Sequence, residues 1–193
     1  MAGAAHLASI FGTEKDKVNC SFFFKTGACR HGESCSRAHN KPPLSQTILI
    51  RNLYAPPPHE PGKEDELKEH YEDFYEDIFL EMSKHGKVLD QVVCENAGQH
   101  LCGNTYIKFE DEEQAQKALQ AVAGRFYAGR PLFSEYTPVT DFWEGVCKQL
   151  EKDGVCSRGP NCNFMHLKKI GRSLERELYP DGRGASRGYS GGG

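Results

Sequence analysis

The sequence predicts an α+β chain in which one split βαβ domain of the ferredoxin-like kind sits between two small metal-organised modules. Three observations predict it. One set of cysteine and histidine intervals is written at both ends of the chain. The stretch between them runs strand, helix, strand, strand, helix, strand. The charge also changes sign from the ends to the middle.

The intervals come first. Cys20, eight residues, Cys29, five residues, Cys35, three residues and His39 match Cys147, eight residues, Cys156, five residues, Cys162, three residues and His166. Three thiolates and one imidazole make a tetrahedral structural zinc set. Each window spans 20 residues, too few to bury an apolar core unaided. The metal then supplies the folding energy, on the order of 10–16 kcal/mol apparent for zinc-finger peptides. Four protein ligands leave no open position to activate water. A disulfide scaffold competes, because eight cysteines is an even number. The first ten residues lack the apolar core of a secretory signal, and a reducing compartment disfavours disulfides. Ordinary buried cysteine also competes, but it predicts neither histidine. Cys94 and Cys102 fall outside the pattern and read as reduced thiols near the two ends of a hairpin.

Size and charge set the frame. The chain has 193 residues with a formal charge of −3, enough for one domain of about 100 residues plus small appendages. No apolar run reaches the length of a membrane span. Residues 14–41 carry six Lys/Arg against three Asp/Glu, a net of +3; residues 141–172 carry six against four, a net of +2. Residues 60–136 carry eight against seventeen, a net of −9. Basic ends around an acidic middle imply different partners for different parts. Three thiolates around one zinc ion sum to −1, so each metallated finger is only mildly basic. Tight nucleic-acid binding then requires stacking and hydrogen bonds beyond bulk electrostatics.

The middle reads element by element. Residues 47–53 (TILIRNL) are β-branched and apolar, a short buried strand. The proline-rich stretch 54–62 is loop. Leu67, Tyr71, Phe74, Ile78 and Met82 fall at helical spacing across 64–85, and Gly86 ends that helix. Strands at 88–95 and 104–109 are joined by a loop containing Asn96, Gly98 and His100. A second helix spans 111–123, with acids in its first turn and Gly124 as its stop. A last strand covers 131–137. In this reading strands one and four are not neighbours, so the segments flanking them must cross the sheet for the fingers to meet.

An RNA-recognition motif is one common occupant of this arrangement, tested by the aromatics on two strands. The stretch Cys102-Gly103-Asn104-Thr105-Tyr106-Ile107-Lys108-Phe109 keeps the glycine and last four residues of the usual pattern. Asn104 and Leu49 stand where two platform rings are expected, while Tyr106 remains. The fold is kept and the ordinary RNA surface is not. The long helix instead offers Glu69, Glu72, Asp73, Glu76 and Asp77. With Arg125, Phe126 and Tyr127 after the second helix, these acids describe a site for a basic peptide carrying an aromatic anchor. The plainer readings are a solvated helix face and packing at the sheet edge.

Finger, degenerate motif, finger: this order resembles the small subunit of the U2 snRNP auxiliary factor. The strings LASIFGTEKDKVNCSFFFK, GACRHG, SQTI, TPVTDFWE and CNFMHLK carry the resemblance, which extends over residues 7–179. It implies a nuclear pre-mRNA splicing factor, not an enzyme, whose two zinc-bearing fingers cooperate on the AG dinucleotide of the 3′ splice site. It also implies a U2AF homology motif that binds a tryptophan-bearing peptide of the large subunit, with Arg125-Phe126-Tyr127 on the motif's Arg-x-Phe signature. The middle residue, often Trp in the family, is Phe126 here. Relatives commonly end in an Arg/Ser-rich tail, where this chain has GRGASRGYSGGG. The expected parts are an N-terminal segment (1–13), a finger (14–41), the central domain (44–138), a second finger (141–168), a short helix (169–179) and a disordered Gly-rich tail (180–193).

For RNA contact the candidates are Phe22, Arg30, Ser36 and Arg37 in the first finger, and Lys148, Arg158 and Phe164 in the second. Unstacked bases are read by aromatic faces and Arg. One or more of Phe22, Phe23 and Phe24 serves instead as that finger's own core. A competing function is control of mRNA stability on AU-rich RNA. Tandem fingers of this spacing occur there too, but on a short linker.

Overall fold

The computed structural model describes residues 18–58 and 61–180. The expected N-terminal segment, and all but Pro180 of the expected tail, lie outside them. In chain order come α1 (Ser21–Thr26), β1 (Thr47–Ile50), α2 (Glu64–Ser83), β2 (Val88–Val93), β3 (Thr105–Phe109) and α3 (Glu112–Val122). A hairpin of β4 (Phe126–Tyr127) and β5 (Arg130–Pro131) follows, then β6 (Ser134–Tyr136), α4 (Phe142–Gly145), α5 (Lys148–Asp153) and α6 (Arg172–Leu178).

Local chemistry accounts for the helices. Glu64, Asp65 and Glu66 occupy the first turn of α2, where the helix dipole favours negative charge. Its buried residues Tyr71, Phe74, Tyr75, Ile78, Phe79 and Met82 form one stripe at helical spacing. The helix ends at Ser83, three residues before Gly86, because the Lys84 and His85 amides bond to the carbonyls of Glu81 and Met82. Asp111 caps α3 by accepting from the Gln114 amide at 2.8 Å.

All four expected strands are shorter than the sequence suggests, the first and last most of all. Asn52 adopts a left-handed φ of 48°, which turns the chain out of β1. Residues 126–131 spend themselves on the β4–β5 hairpin, whose turn has positive φ at both Ala128 and Gly129. Only Ser134–Tyr136 is left for β6.

The main sheet is antiparallel with order β2-β3-β1-β6. This corrects the expected separation of the first and last strands. Ile48 faces Tyr136, Leu49 faces Glu135 and Ile50 faces Ser134. The reason is topological: in a split βαβ sheet the first strand is central and takes a partner on each side. Because β1 and β6 run antiparallel, the start of one lies beside the end of the other. The Ser45 hydroxyl donates to the Thr137 carbonyl at 2.9 Å, and the Thr137 amide bonds to Thr47. Both fingers therefore leave the sheet at one corner, and neither connection has to cross it.

Both faces of this sheet are covered. Ile48, Ile50, Val93, Ile107 and Phe109 point toward α2 and α3. Leu49, Val92, Cys94 and Tyr106 point the other way, against Ala28 of the first finger, Val139 and Phe142 of the connection, and Val146 and Met165 of the second finger. Beyond that finger the chain returns along β2. The Lys168 amide donates to the Val93 carbonyl and the Glu95 amide to His166, both through the backbone. The Tyr71 hydroxyl of α2 donates to the Lys168 carbonyl at 2.7 Å, and the Tyr75 and Tyr179 hydroxyls meet at 2.9 Å.

Candidate nucleic-acid interface and partner groove

Each set of repeated ligands closes into a cluster. In both, one ligand atom from every residue lies within 4.8 Å of the others. All eight cysteines are unbridged. Sulfur atoms stand 3.9 Å apart for Cys29–Cys35, 3.6 Å for Cys147–Cys156 and 3.9 Å for Cys147–Cys162. Thiolates on a tetrahedral zinc are about 3.8 Å apart, given a Zn–S bond of about 2.3 Å. Nε2 of His39 and Nε2 of His166 are buried without a hydrogen-bond partner among the described residues. A metal ion would use those lone pairs, so the donor set fits zinc. Local backbone positions the thiols: α1 starts immediately after Cys20 and α5 immediately after Cys147. Gly27 and Gly154 end these helices at φ 68° and 70°, turning the chain toward Cys29 and Cys156. The backbone amide of Arg37 lowers the Cys35 thiol pKa, while burial pushes Cys29 up to about 11.

The two fingers touch. Rings of Phe22 and Phe164 meet edge to face with centroids 5.5 Å apart, and the Arg158 guanidinium lies 5.5 Å from the Phe164 centroid. Behind this contact α1 lies against α4 so closely that a side chain on Gly145 would collide with the Lys25 carbonyl. Phe23 stacks on His39 at 4.5 Å and is buried, so it is the finger's own core. Of the RNA candidates, Phe22, Phe164 and Arg158 come together, while Arg30 is exposed on the first finger. Ser36 and Arg37 are exposed on the first finger. Lys148 is held by Trp143, with Nζ 4.6 Å from the ring centroid and a 2.6 Å bond to its carbonyl.

Tyr106, the one platform ring left in the central domain, is fully buried. Its hydroxyl donates to the Thr26 carbonyl of α1, and its ring meets Phe142 at 6.0 Å. The surface on which an RNA-recognition motif stacks bases is here the bed of the fingers.

On the opposite side of the central domain a groove of about 440 Å³ opens between α2 and the β4–β5 hairpin. Ile78, Met82, Val122 and Leu132 line its floor, and Asp77, Glu81, Arg125, Phe126 and Tyr127 its rim. Phe126 is 67% exposed. Arg125 pairs with Glu81, holding that carboxyl at about 2, with Lys84 adding to the effect. The Tyr127 hydroxyl reaches Asp77 at 3.5 Å. Glu72, Asp73 and Glu76 are absent from the lining. Glu72 instead accepts from the Gly171 amide at 2.8 Å, anchoring the segment before α6. Glu81 was missed by inspection of the sequence. It lies one turn beyond Asp77, so helical spacing alone could have found it.

The zinc finger C-x8-C-x5-C-x3-H type matches residues 15–41 and 144–168, and the RNA recognition motif matches 75–133. The chain is 53% identical over 188 residues to the splicing factor U2af 38 kDa subunit of Drosophila melanogaster, covering 91% of this chain and 71% of that one. It is 55% identical to the splicing factor U2AF 23 kDa subunit of Schizosaccharomyces pombe, covering 91% of this chain and 82% of that one. The chain belongs to the U2AF small-subunit family. Against the U2AF 26 kDa subunit of Bos taurus it is 50% identical, covering 95% of this chain and 87% of that one. The U2AF small-subunit relatives are splicing factors, and the chain is their homologue, not an enzyme. Among solved structures, RNA-binding protein PG1 superposes with a TM-score of 0.33 and 20% identity over 48% of this chain and 94% of its own, too loosely to bear on function.

Proposed function

We propose that the chain acts in nuclear pre-mRNA splicing by holding the AG dinucleotide of the 3′ splice site across both fingers. Its central groove takes a tryptophan-bearing peptide of a large partner subunit. The observation that carries the RNA half is the Phe22–Phe164 contact, which makes two fingers over a hundred residues apart into one surface with Arg158 over it. Two zinc ions, one held by Cys20, Cys29, Cys35 and His39 and the other by Cys147, Cys156, Cys162 and His166, supply cross-links that rigidify each finger. Bases of single-stranded RNA stack on the aromatic pair, and Arg30, Arg37 and Arg158 contribute charge and hydrogen bonds.

The partner half rests on the groove. An indole fits an apolar floor flanked by Ile78 and Met82, and Asp77 at the rim attracts basic residues beside it. Glu72 is occupied within the chain, so the attractive acids are Asp73, Glu76 and Asp77.

RNA selection with the zinc-loaded chain, with and without the partner peptide, tests the first half. Enrichment of UAG-containing RNA is expected, and enrichment of AU-rich repeats would overturn it in favour of stability control. Phe22→Ala or Phe164→Ala should each weaken binding about tenfold, given ~1–3 kcal/mol per stacked base. Calorimetry with a basic peptide carrying one Trp tests the second half: Asp77→Lys should weaken binding, most at low salt, and unchanged binding by both Asp77→Lys and Phe126→Ala would exclude this groove.

A further inference from the structure

We propose that Tyr106, buried in the central sheet, is a positioning residue of the RNA site: its hydroxyl orients α1, and through α1 the Phe22 ring on which a base stacks. This rests on the reading that the fingers bind single-stranded RNA, and gives the central domain a part in that binding beyond carrying the fingers.

The first finger's helix cannot set its own direction. It has six residues, and no side chain caps its first amides. Helices this short are marginal without outside contacts. Its start is fixed by Cys20, the first ligand of the metal cluster. The last carbonyls of a helix lack partners within it. Tyr106 supplies one, its hydroxyl donating to the Thr26 carbonyl. Beside that bond there is no slack. A Cβ on Gly27 would lie 3.3 Å from the Tyr106 ring and 2.5 Å from the Thr137 hydroxyl oxygen.

From Thr26 the link continues to Phe22. Thr26 is fully buried, and its hydroxyl oxygen lies 2.8 Å from the carbonyl oxygens of both Phe22 and Ala28. One proton between two acceptors ties the turn that carries Phe22 to the turn that leaves the helix. Phe22 itself is half-buried and meets Phe164 edge to face, so part of its ring stays accessible to a base. A tilt of α1 would carry that ring away from Phe164.

The sheet side of the bond is equally fixed. The Tyr106 ring meets Phe142 and packs in the cluster that includes Leu49, Val92 and Val139. Asn104, standing where a stacking ring is expected, is buried and works as a clamp. Its Oδ1 accepts from the Asn52 amide at 3.0 Å, and its Nδ2 donates to the His100 carbonyl at 2.8 Å. The same Nδ2 lies 3.5 Å from the Tyr106 hydroxyl oxygen. The strand that in an RNA-recognition motif holds bases directly here holds the helix that presents a ring to them.

The test is a double-mutant cycle on affinity for a UAG-containing single-stranded RNA, using the zinc-loaded full chain. Tyr106→Phe keeps the ring and removes only the hydroxyl. It should weaken binding about fivefold, the scale of one hydrogen bond. In a Phe22→Ala background the same change should cost about twofold at most, because both act through one ring. Thr26→Val breaks the next link and should behave in the same non-additive way. Tyr75→Phe is the control: it removes another buried hydroxyl, bonded to the Gln91 carbonyl on the helix side of the sheet, and should leave RNA affinity unchanged. Each variant should still bind two zinc ions; affinity that falls together with zinc content would make Tyr106 a support of the finger fold and overturn the proposal. Wild-type affinity in either Tyr106→Phe or Thr26→Val, an equal loss in Tyr75→Phe, or losses that multiply fully with Phe22→Ala would also overturn it, while the RNA reading survives. A wild type that binds no such RNA overturns both.

Discussion

The two fingers share every ligand interval but are held in different ways. In the first, Cys35 and His39 are only half-buried, whereas all four ligands of the second are buried. The first closes mainly on itself, with the Asn19–Ala38 bridge, the Phe23–His39 stack and an exposed Asn40–Asn19 side-chain bond. Its link to the sheet is Tyr106 bonded to Thr26, with Ala28 beside it. The second is stitched to the central domain through Asn96, Ala97 and Glu95, and Lys169 ties its helix α5 to the returning chain by pairing with Glu151. Identical ligand spacing thus fixes the metal cluster, while burial and buttressing are decided by what the chain places around it.

The largest expected effect is on metal retention. Treating the loaded chain with a chromophoric chelator should release zinc in two phases, the first finger ahead of the second. Cys20→Ala should abolish the fast phase and Cys147→Ala the slow one; a single phase, or the reverse order, would erase the distinction. Next comes buttressing. Asn96→Ala removes three hydrogen bonds and leaves buried partners unsatisfied, at about 1–3 kcal/mol for each such group. Its exposed counterpart, Asn40→Ala, should cost about 1 kcal/mol or less. Thermal melts of the zinc-loaded variants would rank them.

The smallest effect belongs to the groove rim, which depends on neither finger. Arg125 and Lys84 depress the Glu81 pKa to about 2, so their stabilisation is fully present above the ordinary value near 4.5 and is lost as pH falls toward 2. Because the pair is open to solvent, Glu81→Gln should change stability by no more than about 1 kcal/mol, less at high salt. In urea melts the gap between Glu81→Gln and wild type should be full at pH 7, narrower at pH 3 and closed near pH 2.

How much of this was legible follows from how local each feature is. Ligand intervals, the Leu67–Met82 stripe and the acidic first turn of the second helix are written within a few residues and could be read directly, whereas Asp111, expected inside that helix, is its cap. Strand adjacency is not local: Leu49 meets Glu135 across most of the central domain, and only the whole topology decides it. A signal for the covered second face was nonetheless present. Thr47, Ile48, Leu49 and Ile50 show no polar alternation, and all four are buried, the pattern of a strand enclosed on both sides. Acid placement on α2 was legible only in part. Glu72 and Asp77 read alike as surface acids, yet one anchors Gly171 and the other rims the groove. That difference arises from Gly171, 99 positions from Glu72, and from Tyr127, 50 positions from Asp77, and no short window of sequence contains either.

The hydroxyl of Tyr106 on the Thr26 carbonyl has a practical corollary for dissecting the molecule. A fragment beginning after the first finger and stopping before the second would carry Leu49, Val92 and Tyr106 on an uncovered sheet face. Such a fragment is a sticky half-product, prone to self-association. The three parts are therefore one cooperative body, and excising the middle from its neighbours would cut through a shared interior instead of a linker.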